Sequence, residues 1–450
     1  MSAALSVLAF SVLGAGVSAV LACLPGLHVY NVMGLAVLAV HAVTGGAAIA
    51  PAAVVPFATG LIVGYAMLSA IPSILLAAPD ESALFMVMPG QKYLMAGRGL
   101  EAVMLTGTGG LAGLALLLAV VGPAGPYVLP TVRRVAGPHQ HWILWCVICF
   151  MLQSEWPKGG RRGRHGWARL GDAWRSLAWG LATFLLSGLL GFILLYRSPL
   201  GVDAAFQNLM PAFVGLFTLP WLLLNLAAGV DVPPQAPLTR AVVPSPADPD
   251  HGAWLLKGVT AGALGGGFAA FFPVVTGGVG GFLAGHATAM NSDRAFLVSQ
   301  GTSKLVYYVG GFLFFFVPGL RMVRGGGAAM LSGMYVPAAE ADAFMALAAA
   351  AFAGAVSILL LQPLTALVLD LIRRVGYRRL SLAALGLVLL LVVAITGLPG
   401  LLVTLTATGI GLLPVLCGSR RLNALGVVLL PLACMMSGFG PAVARVLGLL

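Results

Sequence analysis

The stretch Leu24-Pro25-Gly26-Leu27-His28-Val29-Tyr30-Asn31 interrupts the first long apolar run of the chain. Proline removes a backbone donor and clashes with the preceding helical turn, and glycine adopts backbone conformations that other residues avoid. A helix that reaches Pro25-Gly26 is therefore expected to end there, and a new helix to begin near His28. Within a bilayer, such a break is tolerated only where protein or a water-filled cavity satisfies the freed backbone groups. The stretch is a candidate binding site.

A second interrupted run lies in the other half of the chain, at Phe272-Pro273-Val274-Val275-Thr276-Gly277-Gly278. Paired helix breaks at corresponding places in two halves indicate the central site of a transporter, because half-helix ends supply backbone groups there. The pair predicts one substrate site between the two breaks. The predicted residues of this site are Pro25, Gly26, His28, Asn31, Pro273, Thr276, Gly277, Gly278, Ser303 and Lys304.

The composition is that of a polytopic membrane protein. Of the 450 residues, 60% are hydrophobic and 8% are charged, whereas a soluble domain carries about 25% charged residues. The mean hydropathy is +1.01. The formal net charge of +11 comes mainly from basic residues in short loops. Such loops orient helices and face anionic membrane lipids, so we expect no nucleic-acid partner.

The apolar runs predict seven membrane elements on each side of a polar, Pro-rich linker. They span 4–24, 27–44, 53–78, 101–121, 139–153, 176–196 and 206–228, then 255–272, 277–290, 296–317, 342–368, 380–397, 400–417 and 422–440. We predict an all-α fold of two membrane repeats, 1–230 and 253–450, joined by the linker 231–252. Each repeat is a broken helical hairpin followed by about five transmembrane helices, an odd number that inverts the second repeat.

The distribution of basic residues favours one orientation of this fold. With the N-terminus outside, 17 of the 24 Lys and Arg residues fall in cytoplasmic segments, six fall outside, and Lys304 lies within a helix. Cytoplasmic loops carry an excess of Lys and Arg. We therefore predict a multi-pass protein of the cytoplasmic membrane with its N-terminus outside.

Three charged residues are candidates for a role within the membrane. Asp80 and Glu81 end the third run, where carboxylates bind sodium or carry a proton; the alternative is a role at a helix cap or at the water interface. Lys304 follows Ser303 in an otherwise apolar helix. It either counters a substrate carboxylate or phosphate, or it extends to the lipid head groups. His28 fits a ligand, a proton relay or a hydrogen-bonded structural residue equally well.

The sequence gives no indication of an enzyme. It contains no nucleophile–base set, no phosphate-binding loop and no cluster of metal-ligand residues at a known spacing. We therefore expect no catalytic residues, no metal site and no cofactor other than a coupling sodium ion or proton.

Several longer motifs resemble those of one transporter family. The most specific comprises Ile71-Pro72-Ser73-Ile74-Leu75-Leu76-Ala77-Ala78-Pro79-Asp80-Glu81-Ser82, then Met88-Pro89-Gly90-Gln91 and Gly97-Arg98-Gly99-Leu100-Glu101-Ala102-Val103. Together with Leu24 to Asn31, Asp293 to Val298 and Ile410 to Arg421, it resembles the large permease subunit of tripartite tricarboxylate transporters, in particular that family's archaeal branch. These matches extend over nearly the whole chain.

The resemblance implies a secondary transporter of organic anions such as carboxylates, driven by an ion gradient. Its bacterial relatives work with a small membrane subunit and an extracytoplasmic binding protein. The chain departs from the family's pattern at two places. It has Pro273-Val274-Val275 where the family usually has Pro-Gly, and Lys304 where the archaeal pattern favours small polar residues and Asn.

Two other hypotheses belong to different classes. The chain is a candidate translocase for a lipid-linked phosphate or another amphiphilic anion, which co-purified lipid would reveal. It is also a candidate membrane scaffold without transport activity, in which case replacing Lys304 or Asp80 would leave the phenotype intact.

Overall fold

The structure, a computed structural model, describes residues 3–44, 50–156, 166–201, 207–238, 252–288, 290 and 292–450. Within these ranges every regular element is a helix. Seven described helices are long and apolar enough to cross a membrane, or up to eight if the bent pair Arg421–Met436 and Gly440–Val446 forms one span. The predicted all-α membrane fold is confirmed.

Among the described residues, ten α-helices precede the predicted linker and nine follow it. The first ten are α1 Ala3–Leu21, α2 Val29–Thr44, α3 Pro51–Leu68, α4 Ala70–Leu75, α5 Val87–Met95, α6 Gly99–Ala136, α7 Gln140–Gln153, α8 Trp167–Tyr196, α9 Met210–Phe213 and α10 Leu219–Ala228. The others are α11 Ala253–Phe271, α12 Gly277–Ala287, α13 Asp293–Leu305, α14 Gly311–Leu313, α15 Gly325–Ser332, α16 Glu340–Val375, α17 Tyr377–Cys417, α18 Gly426–Met436 and α19 Gly440–Val446. Wider π-helical turns join α9 to α10 at Val214–Thr218 and α13 to α14 at Val306–Gly310.

Most predicted membrane elements correspond to these helices, and the differences have local causes. α6 continues through three prolines beyond the predicted end at residue 121. The predicted elements 380–397 and 400–417 are the two parts of α17, which is interrupted at Gly397, where φ is +67°. The short helices α5 and α15 were not predicted, because nine and eight residues are too few to give an apolar run of membrane length.

The described helices form two compact units, and each unit takes segments from both halves of the chain. Unit 1 comprises Met1–Val135 and Asn225–Ala384, and unit 2 comprises Ala136–Leu224 and Leu385–Leu450. Within unit 1, α1 packs against α3 and α11 packs against α13. Each half of the chain thus contains the same order of elements, namely a helix, a break, a short helix and a longer helix. The inverted orientation of the two predicted repeats stays a prediction.

Glycines hold α13 closely between its neighbours in unit 1. Gly258, Gly262 and Gly266 follow one another at four-residue spacing along one face of α11. A Cβ atom at each would lie 2.5–2.7 Å from a backbone carbonyl oxygen of α13, so only glycine permits this approach. α13 is also joined to α6, since Thr302 Oγ1 donates a hydrogen bond of 2.8 Å to the carbonyl oxygen of Gly109.

The described part of the predicted linker packs within unit 1 near the start of α6, and its residues 239–251 lie outside the described ranges. Gln235 Nε2 donates to the carbonyl oxygen of Leu94 at 3.0 Å. Its Oε1 accepts the N–H of Gly99 at 2.8 Å. Because Gly99 begins α6, Gln235 satisfies one of the backbone donors that the start of a helix leaves free.

In unit 2, α8 packs against α18, and a buried carboxylate joins a loop to the turn before α18. Glu155 is 5% exposed. Its Oε1 accepts the backbone N–H of Arg420 at 2.8 Å and Nδ2 of Asn423 at 2.7 Å. These bonds compensate for removing the carboxylate from water.

Candidate functional site

The first predicted helix break is confirmed by the structure. α1 ends at Leu21 and α2 begins at Val29. Between them Gly26 has a φ of +79°, in the left-handed region that glycine adopts without strain. His28 forms the N-terminal cap of α2, because its Nδ1 accepts the N–H of Tyr30 at 3.1 Å.

The second predicted break is also confirmed and has a similar backbone. α11 ends at Phe271 and α12 begins at Gly277. Val274 has a φ of +56° and, like Gly26, directly follows a proline. Thr276 caps α12, since its Oγ1 accepts the N–H of Val279 at 3.4 Å. A β-branched residue such as Val274 is strained at a positive φ. The valine that stands where the family usually has the glycine of Pro-Gly therefore lowers the stability of the fold.

This strain leads to an expected pair of stability effects. Val274→Gly removes a left-handed β-branched residue, a strain of about 1–3 kcal/mol, offset in part by the flexibility of glycine in the unfolded chain. We expect the variant to be as stable as the parent or up to about 1 kcal/mol more stable. The reverse substitution at the matching position, Gly26→Val, is expected to lower the free energy of unfolding by about 1–3 kcal/mol. Both are measured by denaturant titration in detergent, and equal losses in the two variants would contradict this interpretation.

Arg324 caps the C-terminal end of α11, the helix that precedes the second break. Its Nε donates to the carbonyl oxygen of Ala270 at 3.0 Å and its Nη2 to that of Ala269 at 3.1 Å. Nη2 also donates to the carbonyl oxygen of Phe272. These are carbonyl groups that the end of α11 leaves without helical partners, so the guanidinium stabilises the helix end by hydrogen bonds and by its charge.

An extended segment after α4 carries the two predicted carboxylates. Ala77 has a φ of +50°, and the helix does not resume until after Ser82. Oδ1 of Asp80 accepts the backbone N–H groups of Ser82 at 2.9 Å and Ala83 at 2.7 Å. This local turn fixes the Asp80 carboxylate and directs the following Glu81.

Asp80 and Lys304 form a buried ion pair. Nζ of Lys304 lies 2.7 Å from Oδ2 of Asp80 and 2.8 Å from Oγ of Ser69. Tyr65 donates its hydroxyl to the same Oδ2 at 2.7 Å. Lys304 is 1% exposed, so it does not extend to the lipid head groups, and that alternative is excluded. Asp80 therefore accepts four hydrogen bonds, two on each oxygen.

A second chain of hydrogen bonds runs from His28 to Glu81. Because Nδ1 of His28 accepts the N–H of Tyr30, we assign its proton to Nε2, which lies 2.9 Å from the hydroxyl of Tyr308. The Tyr308 hydroxyl then donates to Oε1 of Glu81 at 3.1 Å. Nε2 of His28 is itself 3.4 Å from this oxygen. The three groups form a continuous hydrogen-bonded chain between the first break and the Glu81 carboxylate.

The second break also contacts Glu81, through the backbone carbonyl group of that residue. Oγ1 of Thr276 donates to the carbonyl oxygen of Glu81 at 3.4 Å. Ser303 donates to the carbonyl oxygen of Gly277 at 2.6 Å, which ties the start of α12 to α13. A Cβ atom on Gly278 would lie 2.8 Å from the carbonyl oxygen of Ser82, so α12 begins directly against the extended segment.

The structure thus gathers most of the predicted site residues around the extended segment that carries Asp80 and Glu81. The gathered residues are His28, Asp80, Thr276, Gly277, Gly278, Ser303 and Lys304. Pro25, Gly26 and Pro273 form the two breaks, and Asn31 lies 6% exposed in the first turn of α2.

Comparison with known proteins identifies the family of the chain. Residues 8–426 match the tripartite tricarboxylate transporter TctA family. The chain belongs to this family. An uncharacterized protein of Methanocaldococcus jannaschii is 23% identical over 383 residues, which is 84% of this chain and 87% of that protein. No solved structure gives a significant match.

Membership in the TctA family confirms the resemblance found in the motifs and makes the chain an integral membrane protein of a transporter family. The family implies tricarboxylate-type substrates. Its members act in tripartite systems, together with a small membrane subunit and a binding protein.

The site of this TctA-family chain contains four further side chains that were not predicted, those of Tyr65, Ser69, Tyr308 and Arg324. Tyr65 and Ser69 are hydroxyl groups within the apolar run 53–78, and both contact the ion pair. Their polarity inside a membrane run is the signal that would have indicated them. Arg324 precedes three glycines, where the ring of Tyr30 packs so closely that a Cβ on Gly326 would lie 2.9 Å away. That contact is between distant parts of the chain and leaves no local signal.

Proposed function

We propose that this chain is the permease of a secondary transport system that carries an organic anion of the carboxylate class across the cytoplasmic membrane. Transport is coupled to a sodium or proton gradient through Asp80 and Glu81. The main support for this proposal is that both helix breaks contact Glu81. His28 of the first break lies beside its carboxylate, and Thr276 of the second break donates a hydrogen bond to its carbonyl oxygen. Family membership supports the substrate class.

The two breaks are suited to an anion for a simple electrostatic reason. The N-termini of α2 and α12 carry partial positive charge and free backbone N–H groups. In the second break, Gly277 and Gly278 begin α12, and backbone N–H groups at such a helix start are suited to bind an anion. Substrate binding is assigned to the ten residues named from the sequence, with the helix ends as the principal donors.

The environment of the transporter follows from the same proposal. It spans the cytoplasmic membrane many times with its N-terminus outside, surrounded by lipid. Its partners are a small membrane subunit and an extracytoplasmic binding protein, as the tripartite organisation of the family supports. The binding protein delivers the small-molecule anion to the outer opening of the site.

Solute counterflow in proteoliposomes tests this function. The purified chain is reconstituted with an unlabelled carboxylate inside, and entry of the labelled compound is measured for citrate, isocitrate, tartrate, succinate and inorganic phosphate in turn. We expect exchange of at least one carboxylate. Empty liposomes control for leakage. Absence of exchange for every carboxylate, with and without sodium and at several pH values, would contradict the proposal.

A further inference from the structure

The surroundings of Lys304 Nζ have the form of a cation site. The ammonium group is held by Oδ2 of Asp80 at 2.7 Å and Oγ of Ser69 at 2.8 Å, and it lies 5.2 Å from the centre of the Tyr65 ring. Hard metal cations bind oxygen ligands of this kind, and aromatic faces attract cations. Here the cation is part of the chain.

We propose that Lys304 is a tethered counter-cation that fills the coupling-cation position at Asp80, so that a proton on Glu81, and not sodium, accompanies the anion. This inference rests on the proposed transport function and names its coupling ion. The ammonium group of Lys304 neutralises the charge of Asp80, so Asp80 does not attract a sodium ion.

The hydrogen bonds single out Glu81 as the group that takes the proton. Both oxygens of Asp80 are occupied, two donors on each. His28 uses Nδ1 to cap α2, so a second proton on its ring would break the bond to Tyr30. Glu81 accepts the hydroxyls of Tyr308 and Ser82 on Oε1 alone, and among the described residues its Oε2 accepts no hydrogen bond. A proton therefore binds at Oε2 without disturbing either network.

The charges of the site give the reason for coupling. The ionisable groups that face Asp80 and Glu81 from the surrounding elements are His28, Tyr30, Tyr65, Lys304, Tyr307 and Tyr308. Arg324 faces Tyr30 and Tyr307 instead. With His28 and the tyrosines neutral, Lys304 balances one of the two carboxylates, and the other leaves the site with one negative charge. This charge repels an entering anion. When Glu81 takes up a proton from water, the negative charge is removed, and anion binding becomes favourable.

The test compares the effect of sodium on the melting temperature of the purified protein in detergent, with choline chloride at equal concentration as the reference. The wild type is expected to melt at the same temperature in 150 mM of either salt, since no cation position is free. In Lys304→Ser the ammonium is gone and space remains beside Asp80 and Ser69. A sodium ion that binds there is expected to raise the melting temperature by about 2–4 °C relative to choline.

These melting temperatures test the inference independently of any transport measurement. A wild type that sodium stabilises over choline would overturn it, even if Lys304→Ser failed to fold. Lys304→Arg keeps a tethered cation and is expected to remain insensitive to sodium; a sodium response in this variant would also count against the inference. Failure of counterflow for every anion would instead contradict the proposed function and leave this result unaffected.

Discussion

Replacing Lys304 with methionine is expected to lower the free energy of unfolding by about 3–5 kcal/mol, because it leaves the buried carboxylate of Asp80 without its counter-charge. Methionine has nearly the same length, so lost packing contributes little. The double variant Lys304→Met with Asp80→Asn removes both charges and is expected to regain most of the loss. Transport is expected to be abolished in the single variant. Stability is measured by denaturant titration in detergent.

The surface ion pair of the same unit provides the matched control. Lys92 lies 3.0 Å from Asp293, but the two side chains are 65% and 48% exposed. Water screens this pair, so Lys92→Met is expected to cost only about 0–1 kcal/mol. Equal losses for Lys304→Met and Lys92→Met would show that burial of the Asp80 pair contributes nothing special. A double variant less stable than the single one would contradict the charge explanation.

Glu81→Gln is expected to separate exchange from gradient-driven uptake. Glutamine preserves the acceptor for Tyr308 but stays neutral at every pH, so it mimics the protonated site permanently. Counterflow is expected to persist within about threefold of wild type, whereas accumulation driven by a proton gradient is expected to be lost, a change of at least about tenfold. The dependence of exchange on pH is expected to disappear with it. Labelled uptake in proteoliposomes measures both modes.

Asp370→Asn is the control for this substitution. Asp370 lies towards the end of α16 and is paired with the exposed Arg373 and Arg374. Its replacement removes one carboxylate from the same unit without touching the site, and both uptake modes are expected to continue. If Glu81→Gln still accumulates substrate on a proton gradient, another group carries the proton. If it loses exchange as well, Glu81 is needed for binding and its separate role in coupling is refuted.

The fold was predictable where local chemistry decides it. Pro25-Gly26 and Pro273 end helices by rules that need no partner, and α1 and α11 end within a few residues of them. The interruption of α17 at Gly397 coincides with the predicted end of the element 380–397 for the same reason. Apolar runs of membrane length likewise identify their helices, because a bilayer leaves a hydrophobic segment few alternatives.

The division into compact units and the partners within the site were not predictable in this way. Each unit takes segments from both halves of the chain, and this depends on packing between helices far apart in sequence. Lys304 was visible as an intramembrane charge, but its pairing with Asp80 joins residues 224 positions apart. Tyr308 lies between His28 and Glu81, residues that are 280 and 227 positions away from it in the chain. Sequence indicates which residues are unusual, and only the fold shows which of them meet.

The position of the substrate can be measured in an experimental density map of the chain, purified with a saturating concentration of the carboxylate that it exchanges. Ligand density is expected between the two breaks, beside Glu81, at the N-termini of α2 and α12. Density at a different place in the molecule, or dry packing between Pro25 and Pro273 with the ligand present, would contradict this expectation.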